Sequence, residues 1–168
     1  KPSVLDLGCN DFWLGAYLLT RGYRVDGLEL NRSAHTAAVE RAARFRNGGP
    51  PPTVAHGDLH DAPRILTGRY DAVSLFEVLE HVPDPDASLR VCERMLNPGG
   101  RVYVSTPDGA YEAGNRPRWD VVERKGHLRA WPAVELAERL NRRGDVRVMD
   151  LGQGLTVAGY TPGRKRGR

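Results

Sequence analysis

The chain is poor in cysteine, in long apolar runs and in net charge, and each shortage removes a class of protein. Only Cys9 and Cys92 occur among its 168 residues, with no Cys-x-x-Cys spacing and no histidine cluster beside them. That excludes a disulfide scaffold and a zinc knuckle. Two isolated thiols instead fit a reducing cytoplasm and a role as small core residues. No run of 18 apolar residues exists, so no membrane-spanning helix is expected. No signal peptide is evident, and an upstream segment stays open. The net charge is +4, but the terminal "TPGRKRGR" supplies all of it through Arg164, Lys165, Arg166 and Arg168. The other 21 basic side chains balance the 21 acidic ones. A nucleic-acid partner would therefore rest on the tail alone, which a disordered terminus explains equally well. The length fits one domain with its own core. We expect that domain over 1–160 and a disordered basic tail over 161–168.

What is present is an alternation of periods. Val4–Leu7 reads as a strand, and 13–21 as a helix with Leu14, Tyr17 and Leu18 inward, stopped by Gly22. "YRVDGLEL", 23–30, is a second strand. Asn31 or Ser33 can cap a helix reaching about Phe45, with Ala34, Ala37, Ala38, Ala42 and Phe45 inward. Thr53–His56 is a short third strand. "DAVSLF", 71–76, is almost wholly apolar, as a strand buried on both faces should be. Asp84 and Pro85 open a helix burying Leu89, Cys92, Met95 and Leu96, which "NPGG" ends. "RVYVST", 101–106, is a fifth strand. An irregular stretch over 107–130 precedes a helix from Pro132 to Arg143. "VRVMD" and "LTVAGY" close the chain with no helix between them, hence as an antiparallel pair. The fold class expected is α/β: a doubly wound, mostly parallel seven-stranded sheet with a C-terminal antiparallel hairpin.

In such sheets a ligand sits beyond the carboxyl ends of the strands, where strand order reverses. The residues there are small or polar. Gly8, Cys9, Asn10 and Asp11 follow the first strand, Glu29 ends the second, and His56-Gly57-Asp58 close the third. Glu77 follows the fourth. Gly8 permits close approach of a ligand, and Asn10 tolerates the left-handed backbone of a second glycine. Glu29 stands 21 residues past Gly8, where an acid grips ribose hydroxyls.

These segments resemble the class I S-adenosylmethionine-dependent methyltransferases, in particular the ubiquinone- and menaquinone-pathway branch. "VLDLGC", "VDGLEL" and "HGDLHD" look like the family's first three motifs. "YDAVSLFEVLEHVPDPDASLRVCERMLNPGGRVYVSTP" is similar to its block from fourth to fifth strand. The resemblance implies a Rossmann-like methyltransferase fold, S-adenosylmethionine as cofactor and S-adenosylhomocysteine as product. It also implies roles. Gly8, Cys9 and Asn10 would pack on the methionine moiety, with Asp6 ordering their loop. Glu29 would accept from the ribose hydroxyls, with Leu30 beside it. Asp58 and the Leu59 amide would read the adenine edge, and Phe76 and Glu77 would line the amino acid end. One departure stands out. The family's Gly-x-Gly-x-Gly here reads "GCNDF", with Asn10 and Phe12 at the later glycine positions, and Gly15 too far along to substitute.

The expected reaction is in-line transfer of methyl to a small-molecule acceptor, most simply a hydroxyl oxygen. His127 and His81 are candidate bases, each weighed against a purely structural role. Tyr111, Trp119 and Arg129 are candidate substrate contacts, while His35 and His60 read as surface residues. "FEVLEH" after the fourth strand disfavours nucleic-acid methylation. No cluster of carboxylates with metal-ligand spacing is visible, so no metal is expected. A sugar or quinone-like hydroxyl is the candidate acceptor. Two other readings differ in kind. A nicotinamide dehydrogenase lacks its later glycines in "GCNDFW". A non-catalytic methyltransferase-like domain that binds the cofactor or its product is the main alternative.

Overall fold

The computed structural model describes residues 1–45, 51–107, 126–129, 131–150 and 155–163. Strands β1 (Ser3–Leu7), β2 (Arg24–Glu29), β3 (Val54–His56), β4 (Tyr70–Phe76), β5 (Leu96–Pro107), β6 (Gly144–Asp150) and β7 (Leu155–Pro162) form one sheet. Its order is β3-β2-β1-β4-β5-β7-β6. Pairing is parallel from β3 through β5, then antiparallel at β5–β7 and β6–β7. This is the architecture that the alternating pattern predicts. The chain winds outward from β1 to β3, then crosses back to lay β4 on the other side of β1. The switch point therefore falls between β1 and β4.

Successive strand residues point to opposite faces, and each face has its own core. All of Ser3–Leu7 is buried. Val4 joins Phe12, Leu19, Val25, Ala38 and Ala42 beneath helices α1 (Trp13–Thr20) and α2 (Arg32–Ala42). Leu5 and Leu7 join Val73, Leu75, Leu89, Val104 and Leu136 on the other face. That face is covered by α3 (Ala62–Ile65), α4 (Pro85–Arg94) and α5 (Ala133–Asn141). Asn31 caps α2 through its side-chain oxygen, which accepts from the amides of Ser33 and Ala34. Asp84 does the same for α4 toward Ala87. Both caps follow from short polar side chains placed just before a helical period. Both cysteines are buried.

Three local expectations change. Helix α1 buries Gly15, Ala16 and Leu19, leaving Tyr17 and Trp13 exposed and Leu14 and Leu18 half-buried. The cause is Phe12. It sits in the left-handed region at φ 66°, fully buried, and its ring lies under the first turn of the helix. The helix is thereby rotated to set Gly15 against that ring. Second, "NPGG" does not end α4 ahead of a later strand. Leu96 already pairs with Tyr70, and Asn97–Gly100 lie within β5 at a register shift between Tyr70 and Ala72. Gly99, at φ 80°, supplies the bend. Third, Leu59–Asp61 form a 3-10 turn leading into α3, a helical stretch that the apolar pattern does not mark. Asp58 starts it by accepting the His60 amide at 2.8 Å.

Arg164, Lys165, Arg166 and Arg168 of the predicted tail lie outside the described residues, as do Tyr111 and Trp119. Among the described residues no helix is long and apolar enough to cross a membrane.

Candidate functional site

The carboxyl ends of β1, β2, β3 and β4 converge on one rim. Gly8 leaves β1 at φ 76°, and its amide and that of Cys9 both donate to the Leu28 carbonyl on β2, at 2.8 and 3.1 Å. A Cβ on Gly8 would lie 2.6 Å from Cγ2 of Val78, just beyond β4. Glycine is thus required twice, by conformation and by the close approach of the chain after β4. Asn10 at φ 47° and Phe12 at φ 66° continue the turn with the positive angles that glycines would otherwise take. The departure from the Gly-x-Gly-x-Gly pattern therefore leaves the path of the loop to be set by an Asn and a buried aromatic. Trp13 stays outside, its ring 4.0 Å from the Arg41 guanidinium. Arg41 also donates to the Asp11 carbonyl and carboxylate, at 2.7 and 2.8 Å, tying α2 to the loop.

Glu29 is the hinge of the rim. Its side chain is 9% exposed. One carboxylate oxygen accepts the Asn10 amide at 2.8 Å and the other the Asn31 amide at 2.7 Å. A single charge therefore fixes the first loop against the start of α2. Hydrogen bonds to an ionised acceptor are the stronger kind. Beside it Leu30 is exposed. Gly57 donates to the Glu29 carbonyl at 3.0 Å, which brings Asp58 to the neighbouring strand end. Oδ1 of Asp58 takes both the amide and the Nδ1–H of His60, at 2.8 and 2.9 Å. The backbone bond foremost holds the Asp58 carboxyl below its ordinary range. Leu59 is half-buried at the head of the 3-10 turn. At the end of β4, Phe76 is half-buried and Glu77 is exposed at φ 56°. The Glu77 amide donates to Ser105, whose hydroxyl in turn donates to the Glu77 carboxylate at 2.8 Å.

Asp6 lies beneath this rim. It faces Ser74 across β1 and β4, and the Ser74 hydroxyl donates to it at 2.7 Å. Burial pushes its carboxyl up to about 6, with the charge of Glu29 adding and the Ser74 bond opposing. Burial also drives the Cys9 thiol far up, with Asp6 and Glu29 adding to it, which disfavours its thiolate. The Asp6 shift has a stability consequence. A carboxyl raised from 3.8 to about 6 favours the folded state below pH 4, and that contribution disappears as pH rises through 6. At one pKa unit per 1.36 kcal/mol the span is about 3 kcal/mol. Asp6→Asn should therefore gain about 3 kcal/mol relative to the parent between pH 4 and pH 7, read from urea denaturation at both. A pH-independent difference would contradict it.

His81 and His127 come together as a pair, their rings edge to face with centroids 4.7 Å apart. The short segment carrying His127 is docked on the chain after β4. Leu128 donates to the Glu80 carbonyl at 2.7 Å. Arg129 donates to the carbonyls of Leu79, Val82 and Pro83. Arg129 is thus committed to backbone rather than turned toward a substrate. His60 is exposed, as expected, but His35 is half-buried, donating Nε2–H to the Val54 carbonyl at 3.1 Å. Ser74, Ser105 and the buried Glu80 also support the rim without standing out in the sequence. The signal for Glu80 was its place beside His81 in "FEVLEH". A separate cavity of about 320 Å³, lined by Tyr23, Arg24, Asp26, Arg69 and Tyr70, opens at the amino ends of the strands, away from this rim.

Residues 1–144 match the family described as methyltransferase domain. The chain belongs to this methyltransferase family. It is 33% identical over 106 residues to a ubiquinone biosynthesis O-methyltransferase of Pseudomonas aeruginosa, covering 62% of this chain and 44% of that one. The chain thus spans less than half the length of the curated relatives it matches. An O-methyltransferase family protein from Burkholderia thailandensis shares the fold with TM-score 0.77 at 18% identity, over 99% of this chain and 52% of that one. The magnesium protoporphyrin IX methyltransferase of Synechocystis, solved with bound S-adenosylhomocysteine, gives 0.68 at 18% identity, over 96% and 74%. The methyltransferase domain therefore carries its family's sheet, with the rim of Gly8, Glu29, Asp58 and Glu77 at the switch point.

Proposed function

We propose that this methyltransferase domain transfers the methyl group of S-adenosylmethionine to a hydroxyl oxygen of a small-molecule acceptor. The observation that carries the reading is Glu29, a buried carboxylate that locks the Gly8–Asn10 turn at the switch point. Around it the roles divide by position. The Gly8-Cys9-Asn10 backbone meets the methionine moiety, and Asp6 with Ser74 supports that turn from below. Glu29 accepts from the ribose hydroxyls. Leu30 packs on the adenine, whose edge meets Asp58 and the Leu59 amide. Phe76 and Glu77 bound the amino acid end. Asn10 and Phe12 take the positive φ angles that glycines would, which supports a loop open to the cofactor over the alternative of a non-catalytic domain.

The chemistry asks little of the protein. The sulfonium is a cationic leaving group. When bound, the donor would offer its methyl carbon to in-line attack by the acceptor oxygen, with the carbon–sulfur electron pair passing to sulfur. Alignment in a dry pocket supplies up to about 7–11 kcal/mol in well-oriented systems. The hydroxyl proton leaves through the His81 and His127 imidazoles, a contribution of about 10²–10⁴-fold when a base is well placed. The Pseudomonas relative's name, an O-methyltransferase of ubiquinone biosynthesis, supports oxygen as the acceptor atom and favours a quinone-like phenol over a sugar. The buried thiols favour the cytoplasm as its compartment.

The test is transfer of labelled methyl to a panel of ortho-dihydroxyphenols, free sugars and primary amines. Label recovered as a methyl ether, with stoichiometric S-adenosylhomocysteine, is expected. Label on amines alone would overturn the oxygen assignment.

A further inference from the structure

We infer that His60 is a positioning residue of the proposed donor site: its ring pins one oxygen of Asp58, leaves the other to read the base, and so makes the chain select a 6-amino purine over a 6-oxo purine. The inference rests on the adenosyl site proposed above and goes past it, since that reading gives His60 no part.

The geometry is a two-point hold on a single atom. Oδ1 of Asp58 accepts the His60 amide at 2.8 Å and the His60 Nδ1–H at 2.9 Å. Oδ2 has no donor among the described residues. The Asp58 carboxyl is held below its ordinary range, by the backbone bond first. At neutral pH it therefore only accepts, and Nδ1 is the donor whether or not Nε2 also carries a proton. Both side chains are close to half exposed. An exposed aspartate with one backbone bond can still turn its carboxylate, because the terminal torsion is broad. A second donor reaching the same oxygen from the ring removes that freedom, so the carboxylate is ordered before a ligand arrives. The ring is itself braced. Its Nε2 lies 3.5 Å from the hydroxyl of Ser88, a fully buried residue of α4 whose hydroxyl donates to the Asp84 carbonyl at 3.1 Å. His60 thus spans the 3-10 turn and α4.

The chemistry of the base sets the consequence. Adenine presents an amino donor at C6 and an acceptor at N1. Hypoxanthine reverses both, with an oxygen at C6 and a hydrogen on N1. In the proposed site the amino group donates to Asp58 and N1 accepts from the Leu59 amide. A 6-oxo base would set oxygen against carboxylate and N–H against N–H. Polar groups left unpaired in this way give binding sites their largest discrimination. Rejection by repulsion requires that the carboxylate stay where it is, because one that turns away relieves the clash. His60 keeps it in place.

The test is calorimetric titration with S-adenosylhomocysteine and with S-inosylhomocysteine, its 6-oxo counterpart. The parent should prefer the adenosyl compound at least about 100-fold. His60→Ala should shrink that ratio about tenfold, the share of one charge-assisted hydrogen bond. It does so by weakening the adenosyl compound while the inosyl compound keeps its affinity. A side chain that merely propped the turn would weaken both alike and leave the ratio unchanged. His60→Asn carries an amide N–H where Nδ1 stands and should restore the ratio. His60→Gln carries its donor toward the position of Nε2 and should not. An unchanged ratio in a His60→Ala chain that still binds S-adenosylhomocysteine overturns the role of His60 and leaves the donor site standing. A parent that binds both compounds equally overturns the reading of the base and His60 with it. A parent that takes up neither defeats the donor site itself.

Discussion

Glu29→Ala should weaken S-adenosylhomocysteine binding about 100-fold or more and destabilise the fold as well. The carboxylate is buried and receives two backbone amides, from Asn10 at 2.8 Å and Asn31 at 2.7 Å. Bonds to a charged group are worth about 1.5–3 kcal/mol each, and removing the acceptor leaves both donors to be resolvated. A 100-fold loss of affinity is about 2.7 kcal/mol, which the ribose contacts proposed for Glu29 would supply on their own. The loosened Gly8–Asn10 turn adds to it. Glu29→Gln is not a mild alternative, because one end of its amide presents an N–H to an N–H. It should lose most of the affinity, and calorimetric titration of both variants reads the effect. Parent-like affinity in a folded Glu29→Ala chain would remove Glu29 from the cofactor site.

Gly15→Ala is expected to cost about 3 kcal/mol, a large effect for one methyl group. A Cβ there would lie 2.3 Å from Cε2 of Phe12 and 2.4 Å from its Cζ. Phe12 cannot yield, because its ring is also enclosed by Gly27 of β2, whose own Cβ would come within 3.1 Å of it. Overpacking of a closed core costs about 1–3 kcal/mol and occasionally more. The cause is testable by a double-mutant cycle. Phe12→Leu should recover part of the loss in the Gly15→Ala background, giving a coupling energy of at least about 1 kcal/mol by urea denaturation. Additive effects would mean that the ring does not set the requirement for glycine.

Gly15 also shows where sequence reasoning reaches and where it stops. The sheet was legible because parallel strands covered on both faces read as apolar runs, and because their polar ends recur at crossover intervals. Glu29, Asp58 and Glu77 could be placed at strand ends from that spacing alone. Helix α1 was misoriented because a period of apolar residues does not reveal that Phe12, one position before the helix, turns inward at a positive φ. Gly27 reads as an ordinary strand residue until Cys9 and Phe12 are seen against it. The extension of β5 back to Leu96 depends on pairing with Tyr70, a contact no local pattern contains. Arg129 carried the charge of a substrate contact but serves as a clamp on three carbonyls, which only the fold brings within its reach. The His81–His127 pair was named residue by residue, yet Glu80 beside it was not. A buried carboxylate and an exposed one look alike in a string of letters.

Isothermal titration of the parent chain with S-adenosylhomocysteine, and with NADH as the competing dinucleotide, tests most directly whether these strand ends form one adenosyl site. A saturable one-to-one heat with the first and none with the second is the result predicted. A folded chain that takes up neither, or that prefers NADH, would contradict the assignment of the rim to a methyl donor.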